Sequence, residues 1–73
     1  MLQLESAGIE SFDVFTKTNR FAGVIAMQSR KSGKFWSVYF DSNCVRGSAR
    51  KFQSVESAVA FIHDRRVKKG LAV

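Results

Sequence analysis

The sequence predicts an α+β fold: a small antiparallel sheet of three to four strands, with one C-terminal helix packed across one face. Three observations predict it. Short runs rich in aromatic and β-branched residues recur between Ser11 and Gln53, separated by turn residues. From Ser54 to Gly70 the apolar period changes to that of a helix. The composition is 45% hydrophobic and includes seven Phe, one Trp and one Tyr. The single cysteine, Cys44, allows no intrachain disulfide, so apolar packing must supply the core.

"SFDVFT", Ser11 to Thr16, is the first run, with Phe12 and Val14 on one side and Asp13 and Phe15 on the other. "KTNR" reads as a turn, because Asn19 tolerates tight-turn backbone angles. "FAGVIAMQ" is the next strand, with Phe21, Gly23, Ile25 and Met27 on one face and Ala22, Val24 and Ala26 on the other. Gly23 marks a bulge or a close backbone approach. "SRKSG" is a loop. "KFWSVYFD" is the strongest strand of the chain. "SNCVRG" is a turn punctuated by Asn43 and Gly47, and "SARKFQ" is a short final strand.

The helix then starts at Ser54, whose hydroxyl can accept a first-turn backbone N–H. Glu56 suits the positive end of the helix dipole, and Arg65, Arg66, Lys68 and Lys69 suit the negative end. Gly70 is a natural residue just past the last turn. Val55, Ala58, Val59 and Ile62 form one stripe with Phe61 at its edge, and that stripe needs a sheet to cover. "MLQLESAG" is open between a strand and a plug for the core. The chain reads as one domain, residues 1–73, with 1–8 and 70–73 the candidates for flexible ends.

Charge is the strongest pointer to a partner. Twelve Lys and Arg face six Asp and Glu, a net charge of +6, with a pI near 10.1. Residues 1–16 hold Glu5, Glu10 and Asp13 and no basic residue, so 17–73 balance at +9. Such a field attracts polyanions, either nucleic acid or an acidic protein patch. The start, "MLQLESAGIE", does not read as a signal peptide, and no run reaches the length of a membrane span. With its free cysteine the sequence fits a cytoplasmic protein without a membrane partner, and a monomer is expected.

Catalysis finds little support. A nucleophile needs a base and an orienting group. Only Cys44, His63 and Asp41 or Asp64 could supply them, and no spacing brings them together. One histidine and one cysteine do not make a zinc set, and Gly33 and Gly47 do not make a phosphate loop. No cofactor, metal or catalytic residue is expected.

The candidate contacts lie in "SRKSGKFWSVYF" and after it. Alternation assigns Trp36, Val38 and Phe40 to the core and leaves Phe35 and Tyr39 on the open face, available to stack bases or fill a partner's pocket. Arg30, Lys31 and Lys34 flank one hairpin, and Arg46, Arg50 and Lys51 flank the next turn. These eight residues, Arg30, Lys31, Lys34, Phe35, Tyr39, Arg46, Arg50 and Lys51, are the expected partner surface. The basic helix end is accounted for by dipole complementarity.

"FAGVIAMQSRKSGKFWSVYFD" followed by "RKFQSVESAVAFI" resembles the plant AP2-type and integrase arm-binding DNA modules, three strands followed by a helix. The resemblance covers about residues 20–62. It implies a sheet laid in the major groove, with Arg20, Arg30, Lys34 and Trp36 at DNA. The chain departs from that family at "FAGVIAMQ", where the family is arginine-rich. Ala22, Ile25 and Met27 cannot hydrogen-bond base edges. In length, basic charge and lack of a catalytic set, the chain also resembles the small phage-encoded regulators that bind host RNA polymerase, notably the Xanthomonas-phage type that inhibits initiation and acts in antitermination. That resemblance implies action by occupancy. The expectation is therefore a non-enzymatic regulator of transcription bound to RNA polymerase, with a nucleic-acid-binding module as the alternative.

Overall fold

Four extended runs pair with one another in chain order. In the computed structural model, which describes residues 2–73, they are β1 (Gln3–Gly8), β2 (Ser11–Phe15), β3 (Phe21–Arg30) and β4 (Gly33–Tyr39). All neighbours are antiparallel, in the order β1-β2-β3-β4. A single helix, α1 (Val55–Lys68), crosses the sheet over β3 and β4. The predicted α+β architecture is the observed one. No helix among the described residues is long and apolar enough to cross a membrane.

The pairing register turns alternation into two faces. Ile25 lies between Phe12 on β2 and Val38 on β4, and this row faces the helix. Ile25, Val38 and Val14 are fully buried with Ala58 and Ile62 of α1, and Leu2 closes the cluster. Gly23 is where the layers come closest. A Cβ there would lie 2.8 Å from the Tyr39 carbonyl oxygen and 3.5 Å from Ile62 Cδ1. The opposite face carries the rows Asp13–Val24–Tyr39, Ser11–Ala26–Ser37 and Gln28–Phe35.

Turn chemistry fixes the connections. Thr16 is fully buried, and its Oγ1 accepts from the N–H groups of Thr18 and Arg20 while Asn19 takes φ 63°. The loop before Lys34 is tighter than predicted. Arg30 pairs with Gly33, so only Lys31 and Ser32 turn the chain. Ser54 caps α1 by accepting from Ser57 N–H at 3.2 Å. At the other end Leu71 N–H bonds the Arg66 carbonyl and Gly70 N–H bonds that of Val67, with Gly70 at φ 72°. Those two bonds form the Schellman arrangement.

Two elements differ from expectation. Residues Gln3–Gly8 form an edge strand, and Leu2 is buried in the core, so this stretch serves as both strand and plug. "SARKFQ" is not a strand. The segment from Arg46 to Phe52 returns beside β4 but pairs with it only at the isolated Tyr39–Gly47 and Trp36–Phe52 bridges. Arg50 N–H bonds the Ser48 hydroxyl instead of β4, which is how a local side-chain bond competes with a ladder. Between Ser48 and Phe52 the segment therefore bulges outward, carrying Arg50 and Lys51 with it.

Candidate nucleic-acid interface

Among the described residues no Lys or Arg lies within 4.0 Å of a carboxylate; the one close approach of a basic side chain to a carboxylate joins His63 Nδ1 and Asp64 Oδ1 at 3.6 Å. Three of the basic groups are held over rings instead. The Arg65 guanidinium sits 4.1 Å from the centre of the Phe40 ring. Arg50 spans Phe52 and Phe61 at 5.7 and 5.4 Å. Lys51 lies 4.9 Å over Phe35. A cation on an aromatic face is oriented without being neutralised.

These contacts regroup the cations into two sites. The larger lies between α1 and the returning 46–52 segment. There Arg50, Arg65, Lys68 and Lys69 line a groove of about 640 Å³, floored by Phe52 and Phe61. Beside it a second hollow of about 480 Å³ shares Phe61 and Arg65 and adds Phe40 and Arg46. Arg65, Lys68 and Lys69 stand at i, i+3 and i+4, so one ridge of the helix faces the groove. Arg66 is turned away, and its Nε donates to the Ala72 carbonyl at 2.7 Å. Asp64 also lines the groove, with His63 beside it. The smaller site, about 570 Å³, gathers Arg30, Lys31 and Lys51 around Phe35.

The expected site residues fall into place unevenly. Arg46 and Arg50 belong to the groove, and Lys51 joins Arg30 and Lys31 at the smaller site. Lys34 is one position out of phase with Phe35, so it emerges on the helix side of the sheet while Arg30 follows Gln28 on the open side. Phe35 does lie on the open face but is buried at 9% exposure beneath Lys51, so it is not a free stacking surface. Tyr39 is half-buried. Its hydroxyl accepts from Gln28 Nε2 at 3.1 Å, and its ring covers Gly47. Trp36 and Phe40 are half-buried and packed against the core, as alternation predicts, with Trp36 5.9 Å from Phe12. Three of the four helix-end cations that dipole complementarity accounts for, Arg65, Lys68 and Lys69, line the main groove. The i, i+3, i+4 spacing was the available signal, but only the fold brings the 46–52 segment alongside.

The four residues that the AP2-type resemblance would place at DNA do not share a face. Arg20 sits in the β2–β3 turn, Arg30 on the open side, and Lys34 and Trp36 on the helix side. Moreover, Glu5 and Asp13 stand directly opposite one another on β1 and β2, and Asp13 shares its row with Val24 and Tyr39 on the open face. Two carboxylates on the open face oppose a phosphate backbone.

Cys44 and His63 are held in different places. His63 borders a hollow with Leu2, Leu4 and Val59, while Cys44 is in the loop after β4 at φ 56°. Partial desolvation, then the charges of Asp41 and Asp13, push the Cys44 thiol above its ordinary value. That shift runs opposite to what an activated nucleophile needs. Comparison of the chain with known protein families, characterised proteins and solved structures found no match.

Proposed function

We propose that the protein acts by binding rather than by catalysis, and that its basic side holds nucleic acid. The observation that carries this reading is the set of cations left without carboxylate partners and gathered over aromatic rings. Cations fixed in place but not neutralised are suited to an external polyanion, because less side-chain entropy is lost when it arrives. The acidic β1–β2 margin gives the molecule a polarity that orients it on approach. A domain of this size on a template would obstruct transcription by occupancy. Fluorescence anisotropy with labelled DNA tests the reading directly. Binding at low salt that weakens steeply as salt rises supports it, and an unchanged signal at every protein concentration contradicts it.

A second reading, binding to RNA polymerase, has its own support. Leu2, Leu4, Val55 and Val59 line a mainly apolar hollow of about 700 Å³ beside the exposed edge strand β1. An unpaired strand edge next to an apolar groove suits a protein partner. Retention of polymerase from a lysate after nuclease treatment would favour this reading, and its loss with the nucleic acid would favour the first.

A further inference from the structure

We propose that the groove between α1 and the 46–52 segment seats the sugar–phosphate backbone of a duplex and is not a platform for unpaired bases. This rests on the nucleic-acid reading and sharpens it. Proteins that hold single strands offer open aromatic faces on which bases stack. Here the rings beside the cations are already occupied. Phe52 is buried at 7% exposure and packs 5.2 Å from Phe61, and Phe61 packs 6.4 Å from Phe40. Their remaining faces carry the guanidinium groups of Arg50 and Arg65. Phe35, at the smaller site, is covered by Lys51. The rings therefore hold Arg50 and Arg65 in place, and what the groove presents outward is charge, five cations against the one carboxylate of Asp64.

That charge has the form a backbone requires. A guanidinium held over a ring keeps N–H groups free for phosphate oxygens, and its fork matches two oxygens at once. Arg65, Lys68 and Lys69 form one helix ridge, and Arg46 and Arg50 face it across the groove. Five such groups at a rigid, densely charged cylinder engage about five phosphates. The seat also differs from the mode the AP2-type resemblance implies, in which the open sheet face meets DNA. On this chain that face carries Glu5 and Asp13.

The test compares a short DNA duplex with each of its separated strands, for the wild type and two variants. The groove variant, Arg46→Gln/Lys68→Gln/Lys69→Gln, changes only exposed cations that stack on no ring, so the core packing is untouched. The hairpin variant is Arg30→Gln/Lys31→Gln/Lys34→Gln. The proposal predicts duplex binding about tenfold or more tighter than single-strand binding in the wild type. It predicts that the groove variant flattens the log–log salt slope by about 2.7, which is 0.9 for each of three lost phosphate contacts, and that the hairpin variant changes the slope by less than about 1. Single strands bound as tightly as duplex would overturn it. So would a hairpin variant that loses the slope while the groove variant keeps it. Absence of binding to either form by the wild type would instead defeat the nucleic-acid reading on which the inference rests.

Discussion

Asp41 and Gly47 show how single residues shape the surface that presents the cations. Asp41 Oδ1 accepts from the N–H groups of Val45 and Arg46, at 3.0 and 2.9 Å, and so turns the chain back along β4. Gly47 then passes so close that a Cβ would lie 2.8 Å from both the Val38 carbonyl oxygen and Tyr39 Cδ1. Gly47→Ala is therefore expected to destabilise the protein by about 1–3 kcal/mol in urea unfolding, since a backbone oxygen cannot yield as a flexible side chain would. The cross-strand Glu5–Asp13 pair works in the other direction. Asp13→Lys replaces a like-charge pair with an opposite one and is expected to add about 0.2–1 kcal/mol, read in the same assay. Cys44 supplies a pH-dependent signature. Its thiol is raised by desolvation and by Asp41 and Asp13, so the folded state keeps the proton to higher pH than the unfolded chain does. The linked stability is complete below the unfolded pKa and is lost as pH rises through the folded one. The rate of alkylation by iodoacetamide should accordingly reach its midpoint at higher pH in the native protein than in urea. Asn43 and Gly47 were legible as turn residues, but the positive φ belongs to Cys44 and the turn's hydrogen bonds to Asp41. Aspartate is a turn residue, but which N–H groups Asp41 takes, and that Cys44 carries the positive φ, depend on where the returning segment meets β4.

At the scale of elements, the helix and the central strands follow from local rules that point the same way. Ser54, the Val55–Ala58–Val59–Ile62 stripe and Gly70 set the start, the buried face and the end of α1, and each is found in that role. Ile62 is 1% exposed against Ile25 and Val38, beside the gap left by Gly23. Ile62→Ala should cost about 2–5 kcal/mol, lowering the unfolding midpoint without changing the slope against denaturant. Residues 48–53 carry strand-like composition yet fail to form a strand, because the Ser48 hydroxyl satisfies Arg50 N–H locally. The first eight residues were ambiguous for the opposite reason. Every residue of Gln3–Gly8 is exposed, so no buried face imposes alternation on that strand, and pairing with β2 alone defines it. Alternation correctly separated Phe35 from Trp36, but it could not show that Lys51 would arrive to cover Phe35.

Over the whole molecule, topology converts a basic composition into a basic side. Antiparallel pairing in chain order puts the acidic N-terminal strands at one margin and the returning 46–52 segment at the other. The helix then lays its cationic end beside that segment. Net charge and its uneven division were readable from the residues alone. The partition into a five-cation groove and a separate three-cation site was not, since it joins residues some twenty positions apart across a gap that no local pattern spans. The central claim, that this side holds nucleic acid through its phosphates, is tested most directly by the salt dependence of duplex DNA binding to the wild-type protein. Neutralisation of about five phosphates predicts a log–log slope near −4.5, or roughly a 500-fold loss of affinity from 50 to 200 mM salt. A slope near zero, or no measurable binding at the lowest salt, would contradict it.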